Sequence, residues 1–135
     1  MKRESALAGM RVLVVEDDMI VALDIKRALT DAACTVVGPV AFLEEAVRLA
    51  REEPLDAAVV DINLNGDPAY PVTEALAERG VPFVFITGYG DRDVAEGYRA
   101  RPRLRKPFSP DELRQVLARC LAEAPKGAGR GGPQS

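Results

Sequence analysis

The sequence predicts a doubly wound α/β domain: a five-stranded parallel sheet with helices on both faces. Two observations carry this. Between Met10 and Glu123, short apolar runs alternate with amphipathic stretches in about five pairs, the signature of strands joined by helical crossovers. The first run, Arg11-Val12-Leu13-Val14-Val15, is continuously aliphatic rather than alternating, as a strand covered on both faces must be.

The elements follow in order. Arg11–Val15 is the first strand, with Glu16-Asp17-Asp18 at its C-terminal end. From Met19 to Ala33, Ile20, Leu23, Ala28 and Leu29 approximate the apolar face of a helix, leaving Lys26, Arg27 and Asp31 to solvent. Thr35–Val40 is a second strand broken by Gly38-Pro39. Leu43, Ala46, Val47 and Ala50 then mark a helix that Glu53-Pro54 stops. Ala57–Val60 is a third strand ending at Asp61. After the turn-forming stretch from Asn63 to Pro71, a helix from about Val72 to Glu78 ends at Gly80, a natural C-cap. Pro82–Ile86 is the fourth strand, ending at Thr87-Gly88. Asp91–Arg99 is a weaker helical stretch and Arg103–Arg105 a short fifth strand. Pro110–Ala122 is a final helix, with Ser109 as N-cap and Glu112 three residues on.

A chain of 135 residues with a formal net charge of -3 and 47% hydrophobic residues fits one domain. That domain is expected to span residues 10–123. Residues 1–9, without clear pattern, and residues 124–135, rich in Gly and Pro, are expected to be flexible ends. With about twelve residues after the last helix, no attached effector domain is expected. The mildly acidic balance gives no reason to expect a nucleic-acid or membrane partner. No apolar stretch suits a signal peptide or a span, so a cytoplasmic protein is expected. Cys34 and Cys120 lack metal or redox spacing and are expected as small buried hydrophobes in a reducing compartment. There is no histidine, which excludes histidine-ligated zinc, a Ser-His-Asp triad and autonomous histidine phosphorylation.

Ligands of a doubly wound sheet collect outside the carboxyl ends of its strands. Glu16, Asp17, Asp61, Thr87 and Lys106 each stand at the carboxyl end of an expected strand, so the fold would gather them at that edge. Three clustered carboxylates call for a cation, and hard oxygen donors beside a phosphate suit Mg2+. Asp17 and Asp61 would bind it directly, the main-chain carbonyl of Asn63 would add a third oxygen, and Glu16 would act through water. A carboxylate beside such an ion can attack phosphorus and form an aspartyl phosphate. Lys106, the Thr87 hydroxyl and the Gly88 N–H would neutralise the remaining phosphoryl oxygens. Each residue taken singly has a plainer explanation: Glu16 to Asp18 as a helix cap, Asp61 as a turn residue, Thr87 as a strand-end hydroxyl, Lys106 as a solvated charge. Their joint placement at strand ends favours the site.

These residues sit in motifs that resemble the response-regulator receiver family over nearly all of Met10 to Glu123. Val12 to Asp18 is similar to its first strand and acidic pair, Val59 to Leu64 to its phosphoacceptor segment, and Leu104 to Phe108 to its lysine-proline signature. The resemblance implies that Asp61 is the phosphorylation site, Glu16 and Asp17 metal-binding, Thr87 the switch hydroxyl and Lys106 the phosphate contact. It also implies a cis Lys106-Pro107 bond. The chain departs from the pattern at Arg103, where most receivers have an aromatic switch residue, so that relay cannot operate unchanged. Phe85 to Gly90 is similar to the motif of a subgroup of single-domain receivers named for a Phe-Ala-Thr-Gly core. Tyr89 is then a candidate replacement for the absent aromatic, with packing as its other role.

The function expected is a stand-alone phosphorelay switch, phosphorylated by a histidine kinase or phosphotransfer protein and acting by binding a downstream protein. It is not expected to be an enzyme, beyond assisting its own phosphoryl transfer and dephosphorylation. An aspartate-nucleophile phosphatase would place its nucleophile in a D-x-D on the first strand, but Met19 stands two positions after Asp17. A flavodoxin-like carrier would need a phosphate loop where this chain is acidic. A phosphorylation-independent binding module is the remaining alternative. Arg99, Arg101, Arg103 and Arg105 are expected to protect an edge strand from aggregation rather than to bind DNA.

Overall fold

Parallel strands and helices alternate along the chain in a computed structural model that describes residues 6–88 and 102–123. The strands of the main sheet are β1 Arg11–Val15, β2 Thr35–Val40, β3 Ala57–Asp61, β6 Phe83–Thr87 and β7 Arg103–Arg105. They lie in the order β2-β1-β3-β6-β7. A two-stranded antiparallel hairpin, β4 Asn63–Leu64 and β5 Asp67–Pro68, stands apart from the sheet. Among the described residues the helices are α1 Met19–Asp31, α2 Leu43–Glu52, α3 Tyr70–Glu78 and α4 Pro110–Glu123. The expected helix at Asp91–Arg99, with Tyr89, Arg99 and Arg101, lies outside the described residues.

Successive strand residues point to opposite faces, so each strand feeds two cores. Leu13, Val15, Ala58, Val60, Phe83 and Phe85 pack on one face with Ala46 and Ala50 of α2 and Val72, Ala75 and Leu76 of α3. Val12, Val14, Ala57, Val59, Val84 and Ile86 pack on the other with Ile25 and Leu29 of α1 and Leu113 and Leu117 of α4. β1, β3 and β6 are therefore buried on both sides. Leu7, from the stretch without pattern in the sequence, is fully buried in the second core.

The structure corrects the expected face of α1. Ala22, Ile25, Ala28 and Leu29 are its buried residues, whereas Ile20 is 74% and Leu23 55% exposed. The helix also stops at Asp31, and Ala33 turns the chain with a φ of 68°. Cys120 is buried as expected, but Cys34 is only half-buried. Burial still pushes the Cys34 thiol up to about 11, which keeps it protonated and unreactive near neutral pH.

Gly38-Pro39 does not break β2. Leu13 pairs with Val37 and Val15 with Val40, so β2 carries one extra residue there, a bulge. Gly38 has a φ of 99°, and a Cβ on it would stand 2.9 Å from both the Val14 carbonyl oxygen and the Val40 nitrogen. The strand resumes with the Val40 carbonyl accepting the Glu16 N–H at 3.0 Å. α3 begins two residues before the expected start because Pro71 is tolerated in a first helical turn. At α4 the capping box is reciprocal: Glu112 N–H donates to Ser109 Oγ at 3.1 Å, and Ser109 N–H to Glu112 Oε1 at 2.8 Å.

Candidate functional site

The strand order reverses between β1 and β3, and the crevice at their carboxyl ends is where a doubly wound sheet binds ligands. Glu16 and Asp17 leave β1 there, and Asp61 closes β3. Carboxylate oxygens of these three residues all lie within 4.8 Å of one another. Glu16 and Asp61 are buried, Asp17 half-buried. Asp18 instead caps α1, its Oδ1 accepting the N–H groups of Ile20 and Val21 at 3.0 and 3.3 Å. The acidic run thus divides into one cap and two site residues.

Lys106 follows β7 and reaches back across the crevice. Its Nζ stands 3.2 Å from Asp61 Oδ2 and 3.3 Å from each Glu16 carboxylate oxygen. The Lys106 N–H donates to the Thr87 carbonyl at 2.9 Å, tying the end of β7 to the end of β6. The Lys106-Pro107 peptide is cis. Thr87, buried, comes one residue after Ile86, the partner of Asp61 in the β3–β6 ladder. Gly88 follows at a bend with its surface exposed.

The electrostatics record an excess of negative charge. Burial, reinforced by a hydrogen bond with Asp61, pushes Glu16 up to about 8. For Lys106, burial pulls downward, but the charges of Asp61 and Glu16 outweigh it and hold the ammonium above its ordinary value. Glu16 Oε1 is buried and accepts no hydrogen bond. One ammonium cannot neutralise three carboxylates, and buried acceptors of this kind suit a hard cation. The residues present therefore fit Mg2+, with Asp17 and Asp61 as carboxylate donors.

The β4–β5 hairpin sits against this cluster. Asn63 N–H donates to Asp61 Oδ1 at 3.0 Å, and Asn63 Oδ1 accepts the Gly66 N–H at 2.9 Å. Asn65, absent from the sequence expectations, donates its main-chain N–H to Asp17 Oδ2 at 2.9 Å. The Asn65-Gly66 pair, both residues at positive φ, is the hairpin signal that was available in the sequence. Arg103 lies half-buried on edge strand β7, paired with Phe85. Tyr89, the other candidate switch residue, lies outside the described residues.

Comparison with known proteins agrees with this geometry. The sequence profile of the response regulator receiver domain matches residues 12–118. The chain belongs to the receiver family. This receiver is 31% identical over 107 residues to the transcriptional regulatory protein PdtaR of Mycobacterium tuberculosis, an overlap of 76% of this chain and 52% of that one. The chain thus spans about half the length of the curated relatives it matches. The solution structure of SdrG from Sphingomonas melonis Fr1 superposes with a TM-score of 0.76 at 36% identity, covering 90% of this chain and 99% of SdrG. The receiver domain of the sensor histidine kinase PA1611 from Pseudomonas aeruginosa PAO1 superposes with a TM-score of 0.73 at 29% identity, covering 86% of this chain and all of that one. That structure has a magnesium ion coordinated in its active site cleft.

Proposed function

We propose that this receiver is a stand-alone phosphorelay switch that accepts a phosphoryl group on Asp61 and signals by binding a protein. The observation that carries the reading is Lys106 Nζ at 3.2 Å from Asp61 Oδ2, inside a cluster of three carboxylates. A nucleophile and a phosphate-binding cation are thereby already adjacent. An Asp61 carboxylate oxygen forms the new O–P bond as the donor's P–N bond breaks, and the departing imidazole takes up a proton. The chain has no histidine, so the phosphohistidine belongs to a partner, which in this reading is a histidine kinase or a histidine phosphotransfer protein.

Asp17, Asp61 and the Asn63 carbonyl would hold Mg2+, with Glu16 acting through water, and the bound ion would supply charge neutralisation at a phosphoryl oxygen. Lys106 neutralises a second oxygen, and the Thr87 hydroxyl with the Gly88 N–H binds the third. Movement of Thr87 toward the phosphate biases the end of β6, with Tyr89 and Arg103 as the residues that pass the change to the surface. The same groups assist hydrolysis of the aspartyl phosphate, so the chain turns over its own signal without acting on a separate substrate. Its compartment is then the cytoplasm, where the kinase's phosphohistidine and Mg2+ are both available.

The test is intact-protein mass after incubation with acetyl phosphate or a phosphohistidine donor, with and without Mg2+. One phosphoryl adduct is expected on the natural chain with Mg2+, and none on Asp61→Asn. An adduct that survives Asp61→Asn, or none from either donor, overturns the proposal.

A further inference from the structure

We propose that Asn65 is a positioning residue for the metal site: it holds the Asp17 carboxylate in place from the β4–β5 hairpin. The inference rests on the metal-site reading above and extends it to a residue outside the ligand set. Two bonds made by Asn65 carry it. Its main-chain N–H donates to Asp17 Oδ2 at 2.9 Å, and its side-chain Nδ2 donates to the Ala41 carbonyl at 3.1 Å. One residue thereby joins three loops at the carboxyl edge of the sheet: those after β1, β2 and β3. Asp17 comes from the first, Ala41 from the second, and the hairpin is the third.

The local structure leaves Asn65 little freedom. It has a φ of 52° at the tip of a two-residue turn, a conformation that asparagine tolerates better than other residues with a side chain. The hairpin base is fixed at Asp61, through the Asn63 N–H bond, and its turn is closed by Asn63 Oδ1 on the Gly66 N–H. The side-chain bond to Ala41 then fixes the direction of the Asn65 N–H. An ionised carboxylate has about four acceptor positions, so one bond at Oδ2 orients Asp17 and leaves the rest of its acceptor capacity for a cation. Outer partners of this kind orient metal ligands, and losing one typically costs about 10- to 100-fold in affinity.

Two variants separate the contributions. Asn65→Ala loses both the Ala41 bond and the tolerance for positive φ; Asn65→Gly keeps the conformation and the N–H and loses only the Ala41 bond. Mg2+ titration by calorimetry on the unphosphorylated chain is expected to give an affinity about tenfold weaker for Asn65→Ala, at the low end of that range. Asn65→Gly should fall between it and the natural chain. Thermal unfolding without metal serves as the folding control, and if Asn65→Ala fails to fold, Asn65→Gly alone decides. In the metal-free protein, Asp17→Ala, which removes the acceptor, should speed hydrogen exchange of the Asn65 amide while leaving the Asn63 amide unchanged. Natural Mg2+ affinity in the folded variants overturns the proposal. A natural chain that binds no Mg2+ overturns the metal reading and this inference together, whereas Mg2+ binding without labelling at Asp61 strikes only at the phosphoacceptor reading.

Discussion

Lys106 Nζ stands 3.2 Å from Asp61 Oδ2 although 45 positions separate the two residues. The ammonium also touches Glu16, so in the absence of a cation Glu16 and Asp61 share it as their counter-charge. A lysine so placed competes with the metal and yet serves the phosphate. Lys106→Met should therefore bind Mg2+ at least about fivefold more tightly, because a unit charge about 4 Å away is worth roughly 1 kcal/mol even in bulk water. Its labelling by acetyl phosphate should slow by about tenfold or more, as loss of a transition-state charge contact does. Calorimetric metal titration and time-resolved mass measurement check the two halves, and weaker Mg2+ binding would refute the competition.

Stability of the metal-free protein should fall as pH rises from about 4.5 to about 8. Glu16 is held up at about 8 by burial first and by Asp61 second, against an ordinary value of 4.5. Below that window both folded and unfolded chains carry the proton. Within it the unfolded chain releases the proton and the folded chain keeps it, so stability falls by at most about 1.4 kcal/mol per pH unit. Above the window the loss is complete. Denaturant unfolding across this range should show the slope in the natural chain and a flatter profile in Glu16→Gln. Mg2+ should restore stability toward the alkaline end; equal slopes in both proteins would exclude Glu16 as the cause.

Gly38→Ala should destabilise the fold by about 1–3 kcal/mol, the cost of a strained backbone position. The residue has a φ of 99°, and the added Cβ would meet the backbone atoms Val14 O and Val40 N, both at 2.9 Å. Neither neighbour is a side chain that can swing aside. Since Val40 O accepts the Glu16 N–H, the same change should disturb Glu16. The midpoint of urea unfolding measures the first effect, and the amide chemical shift of Glu16 the second.

Arg103→Ala should leave labelling of Asp61 intact. Arg103 sits on edge strand β7, three residues before Lys106, and its ladder partner is Phe85 rather than an acidic site residue. Under the proposed function, its contribution lies at the surface that a partner would meet. Labelling kinetics equal to those of the natural chain are expected, with an altered affinity for the downstream protein. A block in labelling would place Arg103 inside the phosphoryl-transfer machinery.

Much of the site was legible in the sequence because its side chains are polar residues at the carboxyl ends of expected strands. Glu16, Asp17, Asp61 and Lys106 stand at such ends, and the parallel topology brings them together. Asn65 was not legible, because it reaches Asp17 through a main-chain N–H that every residue but proline possesses. An Asn-Gly pair favours a tight hairpin turn, but says nothing of what that turn touches. Leu7 was missed because a single apolar residue has no period to reveal it.

The face of α1 was misjudged for a different reason, and a pair of substitutions measures the difference. Met19, Ile20, Val21, Ala22 and Leu23 are consecutive apolar residues, so helical spacing is satisfied by more than one stripe. The stripe that packs is Ala22, Ile25, Ala28 and Leu29, of which Ile25, Ala28 and Leu29 join Val12, Val14 and Leu113 in the second core; of the expected face, only Ile20 and Leu23 fall outside it. Ile25→Ala should cost about 2–5 kcal/mol, since it removes a fully buried side chain and leaves a cavity. Ile20→Lys should change stability by less than about 0.5 kcal/mol, as surface substitutions do. Ile20 is 74% exposed and lies beyond the Asp18 cap, so neither the core nor the helix start depends on its side chain. Urea unfolding of both variants decides the matter: a loss at Ile20 comparable to that at Ile25 would restore the face inferred from spacing.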